Sequence, residues 1–92
     1  MFGKKRAASY AVNRSKQADN YYQKAGSKLQ RQFDKKISVL CKDPWAGYPL
    51  SGELNGFYAY ESGKFRIEYV INPLKGTVDV VRIGPRGDVY KK

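Results

Sequence analysis

Arg66 and Arg86, with Lys64 and Tyr90, are the residues whose types and spacing could carry chemistry in this chain. Arginine stays protonated and offers a flat fork of donors, which suits bidentate capture of a phosphate. A tyrosine beside it can stack on a base or hand over a proton. There is no histidine, and Cys41 is the lone cysteine. Imidazole acid–base catalysis, Ser-His-Asp and Cys-His nucleophiles, an internal disulfide and a cysteine-based zinc site are thereby excluded. No metal or other cofactor is expected.

Strands must bring these four residues together. From Phe65 the hydrophobic period is two: Phe65, Ile67, Tyr69 and Ile71 share one face, and Arg66, Glu68 and Val70 the other. Residues 77–83 are β-branched and almost continuously apolar, as a central strand would be. Pro73 and Gly76 turn the chain between these runs, so the open end of the hairpin joins Phe65 to Ile83. A strand over 57–60 and a turn over 61–64 reach that same end. Lys64, Arg66, Arg86 and Tyr90 then line one rim, with Arg66 on the sheet face away from the core. Each has a plainer reading. Arg66 could pair across the sheet with an acid such as Asp79, Arg86 could pair with Asp88, Tyr90 could pack the C-terminal tail, and Lys64 could be a surface charge.

Upstream, residues 1–8 read as a basic tail and 10–12 as a short strand. Ser15 can cap a helix on which Ala18, Tyr21, Tyr22 and Ala25 recur at helical spacing. Gly26 breaks it, and Ser27 is placed to cap a second helix with the stripe Leu29, Phe33, Ile37 and Leu40. Asp43-Pro44 ends that helix, because the residue before proline resists the helical region. Residues 44–56 form a loop rich in turn residues. Tyr21, Tyr22 and Tyr69 are assigned to the core, Trp45 to a lid over it, and Cys41 to an unreactive helix end. The whole is one α+β domain over residues 1–92: a short strand, a helical hairpin on one sheet face, then a three-stranded antiparallel sheet.

The 92 residues are 41% hydrophobic and 28% charged, a globular rather than a disordered composition. No apolar run spans a membrane, and the basic start lacks the apolar stretch of a secretory signal, so a cytoplasmic protein is expected. The formal charge is +10, and residues 1–31 alone carry eight basic side chains against one acid. Such a surplus draws polyanions, most often nucleic acid. Lys24, Lys28, Arg31, Lys35 and Arg82 are the candidate RNA contacts.

Three segments resemble the RelE/ParE toxin superfamily: Pro49-Leu50-Ser51-Gly52-Glu53-Leu54-Asn55-Gly56-Phe57-Tyr58, Gly63-Lys64-Phe65-Arg66-Ile67-Glu68-Tyr69, and Ile83-Gly84-Pro85-Arg86-Gly87-Asp88-Val89-Tyr90. They follow a leucine–glycine loop, a "GxYR(I/L)xY" strand and a closing "(I/V)GxRxxVY", in family order. The resemblance implies a RelE-like β-α-α-β-β-β fold and the toxin of a type II toxin–antitoxin pair. The RelE branch cuts mRNA in the ribosomal A site without a metal, by attack of the RNA 2′-hydroxyl on the adjacent phosphate. Carried over, Arg66 and Arg86 bind that phosphate, Tyr90 stacks on or assists at the nucleotide, and Lys64 is a further candidate. A small, partly acidic antitoxin from the same operon is the implied partner, with the ribosome and mRNA.

The sequence departs from the branch on the strand after the leucine–glycine loop, where Tyr58-Ala59-Tyr60-Glu61 holds no basic residue. Pro85 stands where many relatives carry histidine. Glu53, Glu61 or Tyr60 could act as general base, if the fold brings one to the 2′-hydroxyl. Two other readings follow from the same resemblance: a ParE-like inhibitor of DNA gyrase, and a non-catalytic ribosome- or nucleic-acid-binding module.

Overall fold

A computed structural model describes residues 9–85. Residues 1–8, Arg86 and Tyr90 lie outside that span. Strand β1 (Ala11–Arg14) leads into helices α1 (Lys16–Gln23) and α2 (Ser27–Lys42). Strands β2 (Tyr48–Pro49), β3 (Tyr58–Glu61), β4 (Phe65–Asn72) and β5 (Thr77–Pro85) follow, with short 3-10 turns at Pro44–Ala46 and Gly52–Leu54. All five strands form one sheet in the order β1-β5-β4-β3-β2. β1 runs parallel to β5, and the other neighbours are antiparallel. The three-stranded meander read from the period-two pattern is therefore the centre of a larger sheet. β2 is a two-residue edge that no periodicity could reveal.

The helices cover one face. Ala18, Phe33 and Leu40 bury against Phe65, Ile67, Tyr69, Val78, Val80 and Ile83, with Tyr21 and Tyr22 packed at the margin. Tyr22, Phe33 and Phe65 pack in series as tilted ring pairs, at centroid distances of 5.4 and 5.6 Å and interplanar angles of 53° and 59°. Ser15 caps α1, its Oγ accepting from the Ala18 N–H at 3.1 Å. The second cap differs from expectation. Gly26, not Ser27, is the N-cap of α2, and its φ of 84° is open to glycine at little cost. α2 ends at Lys42, and the Asp43 carboxylate then accepts from the Trp45 N–H. Trp45 is no lid: it is 51% exposed, its ring set edge-on to Tyr10 at 6.1 Å.

β1 pairs with only the first half of β5, from Ala11↔Thr77 to Arg14↔Val80. The exposed edge beyond it is finished by α1. The Ser15 N–H donates to the Val80 carbonyl at 2.8 Å and Ser15 Oγ to the Val81 carbonyl at 2.6 Å. The Gln17 side-chain amide donates to the Ile83 carbonyl at 3.0 Å and accepts from the Ile83 N–H at 3.1 Å. One glutamine thus satisfies both backbone groups, as a sixth strand would. Here β5 also bulges: its pairing steps from Tyr69↔Val80 to Glu68↔Arg82, leaving Val81 as the extra residue. Val81 and Arg82 are both exposed, and Ile83 returns to the core. The turn register, Asn72 opposite Thr77, and the bulge each move the hairpin end by one residue, so that Phe65 meets Pro85 rather than Ile83.

Candidate active site

The sheet face turned away from the helices holds the candidate site. Antiparallel pairing of β3 and β4 sets Glu61 opposite Arg66, and the strand period places Glu68 on the same face two residues on. Tyr48 pairs with Ala59, which brings its ring alongside Glu61. The contacts follow this register. Arg66 Nε lies 3.1 Å from Glu68 Oε2, and Arg66 Nη1 lies 3.5 Å from Glu61 Oε2. The Tyr48 phenol donates to the same Glu61 Oε2 at 2.8 Å. Arg66 is 7% exposed and Glu68 9%. The guanidinium read from sequence as facing an uncovered surface is instead buried between two carboxylates. Asp79 is not its partner: Arg66 faces Gly84, while Asp79 sits opposite Val70 toward the other end and accepts from the Asn13 amide at 3.0 Å.

The structure separates the three candidate bases. Tyr60 pairs with Ile67 and turns to the helix side, where the Lys36 ammonium lies 5.9 Å from its ring centroid. Glu53 is exposed in the Gly52–Leu54 turn. Glu61 alone of the three touches Arg66. A carboxylate held between a phenol and a guanidinium can accept a proton while the cation stabilises negative charge growing nearby.

Lys64 lies exposed in the bend between β3 and β4, two residues from Arg66, its N–H donated to Ser62 Oγ at 3.1 Å. Lys24, Lys28, Arg31 and Lys35 are exposed on the helical hairpin, in the other layer from Arg66. Arg82 is exposed on β5, opposite Glu68 at the bulge. The basic set therefore divides between the two layers. Tyr48 and Glu68 were not singled out as site residues from sequence. Glu68 carried a signal, an acid two positions from Arg66 on one strand face. Tyr48 had none, because its place depends on a pairing of two residues.

One buried phenol supports this corner. Tyr69 donates to the Pro44 carbonyl at 2.6 Å and accepts from the Gly47 N–H at 3.2 Å, fixing the segment that delivers Tyr48. Burial pushes the Tyr69 phenol up to about 12, against a smaller opposing effect of the Gly47 N–H. Gly47 is packed so closely that a Cβ there would meet the Ala59 carbonyl and the Tyr69 hydroxyl. Burial also raises the Cys41 thiol above its usual value, in line with an unreactive helix end. Among the described residues, no group of three or more His, Cys, Asp or Glu could hold a metal ion, and no helix is long and apolar enough to cross a membrane.

The sequence profile of ParE-like toxins of type II bacterial toxin–antitoxin systems matches residues 12–92. The chain belongs to this family. Solved structures place the toxin's fold with RelE. In the toxin–antitoxin complex RelBE2 of Mycobacterium tuberculosis, the matching chain is 25% identical, with 88% of this chain and 95% of that one covered at a TM-score of 0.79. The isolated Escherichia coli RelE toxin is 25% identical over 88% of this chain and 90% of that one, at 0.71. A YoeB/ParE toxin from Agrobacterium tumefaciens shares the fold at 15% identity, covering 83% and 98%, with a TM-score of 0.72. A comparison with curated protein sequences finds no match.

Proposed function

We propose that this toxin is a metal-independent endoribonuclease that cuts mRNA in the ribosomal A site, with Glu61 as general base and Arg66 on the scissile phosphate. The juxtaposition of Glu61, Arg66 and Tyr48 supports this reading. A phosphate arriving at Arg66 takes over the longer of its two carboxylate contacts, that to Glu61 at 3.5 Å, while Glu68 at 3.1 Å keeps the guanidinium oriented. Glu61 is then released to take the proton of the 2′-hydroxyl. The 2′ oxygen bonds to phosphorus, charge grows on the phosphate oxygens beside Arg66, and the bond to the 5′ oxygen breaks. That oxygen leaves with a proton from the Tyr48 phenol or from water, giving a 2′,3′-cyclic phosphate and a 5′-hydroxyl. Arg86 is a second phosphate ligand in this scheme, Tyr90 stacks on the nucleotide, and Lys64 adds charge at the rim.

The M. tuberculosis and E. coli relatives were solved as toxin–antitoxin complexes. By the same pairing, a cognate antitoxin in the cytoplasm restrains this toxin. The deciding experiment adds purified protein to reconstituted translation and maps mRNA 5′ ends by primer extension, beside Glu61→Gln and Arg66→Lys. New ends inside A-site codons, dependent on ribosomes, lost in Glu61→Gln and formed about 100-fold more slowly in Arg66→Lys, are expected. Intact mRNA with blocked DNA supercoiling by gyrase overturns the nuclease reading in favour of the ParE-like one. Intact mRNA with arrested synthesis leaves a ribosome binder without chemistry.

A further inference from the structure

Beyond the site, α2 presents Lys28, Gln32, Lys35 and Lys36 at helical spacing toward the turn that joins β3 to β4. Two depressions lie between them. One, of about 390 Å³, is lined by Gln32, Lys35, Lys36, Ser62, Gly63 and Lys64. The other, of about 250 Å³, is lined by Ala25, Lys28, Leu29, Gln32 and Lys64. They share Gln32 and Lys64, so they form one trench. Among the described residues, four lysines line it and no carboxylate does. Asp34 of α2 is engaged elsewhere, by the Tyr22 phenol at 3.0 Å. The trench also meets the site, because the 62–64 turn connects Glu61 directly to the strand carrying Arg66.

We infer that this trench carries the single-stranded RNA flanking the scissile phosphate, over the 62–64 turn and along α2 past Lys64, Lys36, Lys35 and Lys28. The inference rests on the nuclease reading above. The chemistry of the lining favours RNA over an acidic peptide. The stretch nearest the site is lysine, glutamine, serine and glycine, with no apolar side chain for an amphipathic helix to bury. A phosphate backbone needs only cations and hydrogen-bond donors.

The test is equilibrium binding of a 12-nucleotide single-stranded RNA with 2′-O-methyl riboses, which cannot be cut, to the full chain by fluorescence anisotropy. For single strands, each neutralised phosphate adds about 0.7 to the slope of log affinity on log salt, so four lysines weaken binding about 50-fold from 50 to 200 mM salt. Lys28→Gln/Lys35→Gln/Lys36→Gln is expected to lower the slope by about 2, leaving only about a threefold loss from the trench. Lys16→Gln/Lys42→Gln/Lys75→Gln, with lysines exposed elsewhere, is the control. An equal fall in slope for both triples means diffuse attraction and overturns the trench. Displacement of the RNA by an oligoglutamate at lower concentration than by unlabelled RNA overturns it in favour of a protein occupant. Wild-type protein that cuts no mRNA yet shows the trench-dependent slope refutes the nuclease reading alone. Glu61→Gln that stops cutting and keeps the slope supports both.

Discussion

Arg66→Ala should unbalance the fold before it reports on catalysis. The guanidinium lies 3.1 Å from Glu68 and 3.5 Å from Glu61, and the three side chains are 8%, 12% and 15% exposed in that order. Truncating the arginine leaves two nearly buried carboxylates facing each other without this cation. Removing one partner of a buried ion pair costs about 3–5 kcal/mol. A domain this size has a total stability of roughly 5–14 kcal/mol, so from about a fifth to all of it is at stake. Glu68→Gln in the same chain removes the worst of the uncompensated charge. The Arg66→Ala/Glu68→Gln double variant should lose only about 1–2 kcal/mol, about 2–3 kcal/mol less than Arg66→Ala alone, and the coupling exceeds that difference by whatever Glu68→Gln costs by itself. Urea unfolding at pH 7 of wild type, both singles and the double completes the cycle. An Arg66→Ala loss below about 1 kcal/mol, or strictly additive singles, would refute the structural role given to this triad. Toxicity lost in Arg66→Ala is therefore ambiguous by itself. Arg66→Lys keeps the charge beside both carboxylates and gives up the fork, so it should fold and still cut about 100-fold more slowly.

Other expectations follow from neighbouring contacts. Tyr69→Phe takes one partner from the Pro44 carbonyl and one from the Gly47 N–H, and should cost about 2–3 kcal/mol in urea unfolding. The Tyr69 phenol titrates near 12 when folded and near 10 when unfolded, so its stability is intact below pH 10 and is lost as pH rises from 10 through about 12. Alkaline unfolding followed by circular dichroism should show this decline, with a shallower one in Tyr69→Phe. Gly47→Ala drives a Cβ into the Ala59 carbonyl and the Tyr69 hydroxyl, and should lower stability by about 1–3 kcal/mol, read from the urea midpoint. Gln17→Ala strips both partners from the Ile83 backbone and should cost about 1–2 kcal/mol, with faster amide exchange at Ile83 by NMR.

Periodicity exposed whatever burial enforces. The stripe Leu29–Phe33–Ile37–Leu40 and the alternation from Phe65 are repeated demands of one core, and both elements formed where those residues lie. Ser15 and Asp43-Pro44 marked helix ends because capping and proline sterics act within a few residues. The site was less legible, since its contacts depend on register rather than on local pattern. Arg66 and Glu68 were visibly on one face, yet their closeness to Glu61 required the β3–β4 pairing. The bulge at Val81 shifted the hairpin end, and no residue type signals it. Tyr48 joined the site through a two-residue edge strand, and that strand stands because a buried tyrosine twenty-one positions away ties down the preceding turn.

Under the proposed reaction, the distribution of charge gives the two layers different tasks. A chain of formal charge +10 has, among the described residues of its candidate site, Arg66 between two glutamates. Were the site built only to hold a polyanion, those carboxylates would oppose it, because like charges beside a phosphate weaken binding. In the proposed scheme, attraction is instead supplied by the lysines along α2, outside the site, leaving Glu61 and Glu68 to set geometry and Glu61 to take a proton. The two tasks should therefore separate experimentally. Lysine variants of α2 should raise KM and steepen no pH profile, whereas Glu61→Gln should lower kcat with KM nearly unchanged. If Glu61→Gln instead tightened RNA binding and left cutting intact, Glu61 would be only a screen on Arg66, and the base would have to be sought elsewhere.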